Sequence, residues 1–301
     1  MRRWKRHSRS LADMESVIYP GLFCDNEDVR ELEIPLGAVE IADGAFRDFQ
    51  HLESITLPPG VKRIGASAFS GCKNLRRAVL PYGLLEIADE AFSSCQNLMG
   101  ITLPDSVRYI GMGAFEGCAS LGSVKLSECL LEIGASAFAY CFNLSEIDIP
   151  DSCNSIDMCA FLRCFSLEWA KISNNVCLLS ESTFEGCRSL KELDLPTKLC
   201  KISDRCFKGC TSLASIIIPV GVQSIGLDAF ADCSSLARIA LPRELREIED
   251  ADAFGGCAAL SEISFGGDAD AWANITKGKV ILVSNSDGVP TAPKITFMNL
   301  K

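Results

Sequence analysis

The sequence predicts a right-handed solenoid of about ten stacked units, each giving a short parallel strand, a second short strand and a helical turn. Three observations predict it. Phenylalanine recurs at 46, 69, 92, 115, 138, 161, 184, 207 and 230, always 23 residues apart, and Phe254 follows after 24. A leucine stands six residues after each, from Leu52 to Leu260. A cysteine stands three residues after each from Cys72 to Cys257, with Phe49 in that place in the first unit.

A full unit reads Leu52-x-x-Ile55-x-Leu57-Pro58-x-x-Val61-x-x-Ile64-Gly65-x-x-Ala68-Phe69-x-Gly71-Cys72. Ile55 and Leu57 alternate with period two and face inward from a short strand. Pro58 lacks an N–H and ends that strand. Val61 and Ile64 make a second short apolar segment. Ala68 to Cys72 has the compactness of one helical turn, with Gly71 as its left-handed exit. No unit encloses its own apolar residues, so stacking in register turns each column into one long core. At about 4.8 Å per step, nine steps span roughly 43 Å.

The pattern Leu-x-x-Ile-x-Leu-Pro…Val-x-x-Ile-Gly-x-x-Ala-Phe-x-Gly-Cys, over about residues 29 to 265, resembles the BspA-like type of leucine-rich repeat protein. The segment Ile263-Ser-Phe265-Gly-Gly-Asp-Ala-Asp-Ala-Trp272-Ala-Asn-Ile275 resembles the Trp-containing closing segment common in that family. The resemblance implies a scaffold for protein–protein interaction. It also implies the alternative of a cell-surface or secreted adhesin that binds host or matrix proteins.

The chain divides into a basic tail and N-terminal cap over 1–28, the solenoid over 29–265 and a C-terminal cap over 266–301. A solenoid exposes an apolar cross-section at each end. Val17, Ile18, Leu22 and Phe23 are placed to cover the first. Trp272, Ile275 and Val280 to Val283 are placed to cover the last. Arg2, Arg3, Lys5, Arg6 and Arg9 form a basic tail on an acidic body, the whole chain carrying −10. That balance disfavours nucleic acid as a partner. No apolar run follows the basic start, so no secretory signal is read there. No stretch approaches a membrane span, and a monomer is expected. The missing signal and the thiols point to the cytoplasm, against the surface location that the resemblance implies.

Nine of the 16 cysteines occupy one column and read as free, small apolar residues in a tight inward position. Cys153, Cys159, Cys177, Cys200 and Cys206 fall in other columns. Vertical neighbours about 5 Å apart are within disulfide reach, but so many unpaired thiols fit a reducing environment. There is no Cys-x-x-Cys pair, and the only histidines are His7 and His51, so neither a zinc site nor a Cys–His nucleophile is predicted. No cofactor motif is present, and no catalytic residue is assigned.

Recognition is expected on the outward positions of the main strands, where side chains stand on a preformed sheet. Before the Ile55 column these run Ser54, Arg77, Gly100, Ser123, Glu146, Trp169, Glu192, Ser215, Arg238 and Glu262. Before the Leu57 column they include Lys125, Asp148, Lys171 and Asp194. The predicted partner site is Glu146, Asp148, Trp169, Lys171, Glu192 and Asp194, facing a protein or peptide with basic and apolar groups. The competing reading is a charge ladder that satisfies itself along the sheet.

Overall fold

In the computed structural model, which describes residues 17–20, 29–275, 283–284 and 290–298, every unit repeats the same two strands. The main strands, Ser54–Thr56 and its equivalents up to Glu262–Phe265, pair parallel and in register, as in Ser54 opposite Arg77. Ile55 and Leu57 are buried, as alternation requires. The second strands, Arg63–Ile64 to Glu247–Ile248, form their own parallel ladder with Ile64 opposite Ile87. The main-strand ladder is hydrogen-bonded in four segments and the second-strand ladder in two.

Between the ladders runs the core. The ten phenylalanines from Phe46 to Phe254 are all fully buried, and successive rings stack with centroids 5.1–5.8 Å apart. The compact Ala-Phe-x-Gly-Cys segment, expected as a helical turn, is instead a pair of successive turns. The Ala68, Ser70 and Cys72 amides donate three residues back, to Gly65, Ser67 and Phe69. The alternate amides of Ser67, Phe69 and Gly71 donate up the stack, to Asp89, Ala91 and Ser93. A helix would direct all of these along its own axis; here half of them bind unit to unit. The unit with the extra residue departs from this, closing as a 3₁₀ turn over Ala251–Phe254.

That alternation places left-handed residues in each unit. Gly71 has φ +74°, and Ser94, Tyr140, Arg163 and Asp232 adopt the same region at that place in their units. A left-handed conformation costs a side-chain-bearing residue roughly 1–2 kcal/mol. The cost is offset by the bond to the next unit: the amides of Ser94, Tyr140 and Arg163 donate to Glu116, Leu162 and Glu185 at 2.6–2.8 Å.

The cysteine column has a reason beyond volume. The thiol of Cys72 donates to the carbonyl of Phe46 at 3.0 Å, and every cysteine of the column to Cys257 repeats this bond to the preceding unit's phenylalanine. An alanine would leave a gap and a serine would carry a more polar group into the apolar stack. Phe49, in the first unit, packs edge-on against Phe46 instead.

Departures from the pattern are satisfied locally. Ser127 and Ser173 replace proline, and their buried hydroxyls accept from the amides two residues on, of Cys129 and Asn175, which bends the chain where proline otherwise does. Asp43, Asp89 and Asp204 accept from the amides of Ala66, Met112 and Leu227 in the next unit at 2.8–2.9 Å. The residue preceding each of those amides is glycine, at 65, 111 and 226. A Cβ on Gly111 would meet both the Oδ1 and the amide nitrogen of Asp89 at 2.5 Å. Gly111→Ala is therefore expected to cost about 1–3 kcal/mol as an overpacked site. With Asp89→Ala added, the loss should be smaller than the sum of the two single changes, because Ala88 occupies the same place behind Ala66. Thermal melting of the three variants checks this, and strict additivity would overturn it.

At the N-terminal end Val17–Ile18 pairs parallel with Glu40–Ile41, and Ile18 is buried. At the other end the helix Ala269–Ile275 lays Trp272 against Phe265, ring centroids 5.4 Å apart, and buries Ile275. Lys294–Phe297 then pairs parallel with Glu262–Phe265 and adds a rung to the main sheet. The basic tail, Leu22, Phe23 and the stretch from Val280 to Leu282 lie outside the described residues, as do His7 and Cys24.

Candidate recognition surface

The six residues expected to recognise a partner fall on three strands, Glu146–Asp148, Trp169–Lys171 and Glu192–Asp194. These three alone make one hydrogen-bonded segment of the main sheet. Glu146 stands opposite Trp169, and Trp169 opposite Glu192; Asp148 stands opposite Lys171, and Lys171 opposite Asp194. Ile147, Ala170 and Leu193 face the core between them, so the six side chains share the outward face.

The charge ladder closes only in part. Lys171 Nζ bonds Asp148 Oδ1 at 2.9 Å, and this bond holds the ammonium above its ordinary pKa. Glu146, Glu192 and Asp194 make no ion pair among the described residues, and neither does Lys125. Trp169 is half-buried between two exposed carboxylates. Ile217, 78% exposed, carries the same face one unit further.

A second surface feature adjoins the first. Phe142 and Phe165 stack with centroids 4.9 Å apart, and the Arg188 guanidinium caps Phe165 at 4.6 Å. Tyr140 meets Phe142 edge-on and lies beneath Arg163. Aromatic and arginine side chains combined in this way resemble the anchors of interfaces. Phe142 and Phe165 each precede a site strand by four residues, so the rung borders the sheet segment. Reading the fourth residue after each ladder phenylalanine finds it: Gln50, Lys73, Gln96 and Ala119 give way to Phe142, Phe165 and Arg188. The strand columns alone do not.

Burial pushes the thiols of Cys72, Cys118 and Cys164 up to about 12, so they stay protonated and unreactive. Among the described residues no group of three His, Cys, Asp or Glu is gathered as for a metal ion. His51 is exposed in a turn and engages no cysteine or carboxylate among the described residues. No helix among the described residues is long and apolar enough to cross a membrane.

Comparison with solved structures gives a leucine-rich cell surface protein of Faecalibacterium prausnitzii, 28% identical over 88% of this chain and 86% of that one, with a TM-score of 0.45. The T. pallidum leucine-rich repeat protein is 31% identical over 62% of this chain and 78% of its own, with a TM-score of 0.47. The pneumococcal vaccine antigen PcpA, at 18% identity over 94% and 83% and a TM-score of 0.53, shares the fold. Comparison with curated proteins finds no match. The BspA type leucine rich repeat region matches residues 16–141, 86–210 and 156–274, in six copies. With that match running along nearly every unit of the stack, the chain belongs to the BspA-type leucine-rich repeat family.

Proposed function

We propose that the chain is a protein-binding scaffold that works through a preformed sheet surface and carries out no catalysis. Its partner is a protein or peptide segment presenting basic groups beside an apolar one. The observation that carries this reading is Trp169 held in register between Glu146 and Glu192, with both carboxylates and Asp194 making no ion pair among the described residues. A self-satisfied ladder would pair them, at about 0.2–1 kcal/mol each. An aromatic ring flanked by uncompensated acids instead suits an incoming lysine or arginine next to a hydrophobic side chain. The rigid sheet has already ordered these groups, so binding costs little further entropy.

Selection from a random peptide library tests it. Enriched peptides are expected to carry Lys or Arg beside an aromatic or aliphatic residue. Trp169→Ala should weaken them by about 2 kcal/mol, roughly 30-fold. Asp148→Lys, which breaks the pair with Lys171 and adds a cation to the face, should weaken them further. Peptides that bind the parent and both variants equally would remove this surface from consideration.

A further inference from the structure

Fifteen cysteines fall among the described residues, all free, and only Cys129, Cys177 and Cys200 among them are exposed. Cys177 and Cys200 immediately precede Leu178–Leu179 and Lys201–Ile202, which pair parallel with Leu178 opposite Lys201. The Cys200 amide donates to the Cys177 carbonyl at 2.8 Å, extending that ladder by one step. Cys200 Sγ lies 2.9 Å from the same carbonyl oxygen, which turns it toward the Cys177 rung. Adjacent strands sit about 4.8 Å apart, inside the roughly 4.4–6.8 Å between Cα atoms that a disulfide spans. Cys129 stands two units earlier in another column, about twice that spacing away.

We propose that Cys177 and Cys200 form a surface dithiol that closes to an intramolecular disulfide on exchange with a low-molecular-weight disulfide. The thiolate of one cysteine attacks a sulfur of the small disulfide, forming a mixed disulfide and releasing one small thiolate. The second cysteine then attacks the protein sulfur of that mixed disulfide, forming the Cys177–Cys200 bond and releasing the second small thiolate. Two electrons pass from the protein to the small disulfide, which is reduced to two thiols, and the two protein thiol protons go to them or to solvent. The bond would tie together the first two rungs of the second-strand ladder where it restarts after Ser155–Ile156. Those rungs belong to the units that carry Trp169 and Glu192, although the chemistry does not depend on what binds there.

The test uses the full chain, reduced, without denaturant, and oxidised glutathione as the probe. Expected are the loss of both thiols from maleimide labelling and a peptide in which Cys177 and Cys200 are linked, reversed by dithiothreitol. Cys177→Ser and Cys200→Ser should each stop at glutathione on the remaining cysteine, whereas Cys129→Ser should leave the link intact. Parent protein that stops at mixed disulfides, keeps both thiols open to maleimide, or links other cysteines would overturn the proposal.

Discussion

Phe138→Ala is expected to lower the unfolding free energy by about 3–5 kcal/mol. The ring is fully buried and lies between Phe115 and Phe161, with centroids 5.2 and 5.6 Å away. Those two rings cannot collapse into the space, because each is also stacked on its other side, against Phe92 and Phe184. The backbone around the site is fixed as well: the Phe138 amide donates to Ala160, and its carbonyl accepts from the thiol of Cys164. The variant therefore keeps a cavity in mid-ladder and loses contacts on both faces of it. Urea titration followed by two independent probes gives the number and shows whether the stack still melts as one. A cost below about 1 kcal/mol would mean that the phenylalanine column is not the core.

The thiol ladder predicts unfolding in alkali. Cys72, Cys118 and Cys164 titrate at about 12 in the folded chain because burial disfavours the thiolate, against 9.0 for the free group. Cys153, at about 11, is raised for the same reason. Burial also raises Cys95, Cys141 and Cys187. A folded pKa above the unfolded one means that stability is complete below about pH 9 and falls as pH rises toward 12. Each such thiol removes about 1.4 kcal/mol per pH unit in that window. Three of them together remove about 4 kcal/mol per unit, against the roughly 5–15 kcal/mol that holds a typical domain folded. In a variant with the exposed Cys129, Cys177 and Cys200 changed to serine, far-ultraviolet circular dichroism and thiolate absorbance should therefore change together, between about pH 9 and 11. Thiolate appearing with the dichroism unchanged would show that solvent reaches the column and that it is not sealed.

The register of the stack was legible because one residue type at one spacing, phenylalanine every 23, must face one way. The inward positions of Ile55, Leu57, Val61 and Ile64 follow from it, and all four are buried. The site strands followed from the same alternation, which places Trp169 and Lys171 outward on either side of Ala170. The turn segment was not legible, since Ala-Phe-x-Gly-Cys suits a helical turn and a double turn equally, and what decides is a hydrogen bond to a residue about 22 positions away. The thiol-to-carbonyl bonds were hidden for the same reason. The Phe142–Phe165 rung lies in a turn column that strand periodicity does not sample. Cys177 and Cys200 were visible as neighbouring positions, but only their exposure sets them apart from the sealed column.

The thiol bonds from Cys72 to Cys233 all join residues 26 apart, and the stacking phenylalanines up to Phe230 are 23 apart. Each unit thus interacts with the one before and the one after through the same set of contacts. Length then becomes a heritable variable of its own: a gene segment encoding one whole unit can be duplicated or excised by recombination, and the junction recreates contacts already present elsewhere in the stack. A partial unit has no such freedom, because it would shift every column beyond it. The single extra residue before Phe254, absorbed in the turn Ala251–Phe254, marks how much slack that grammar tolerates.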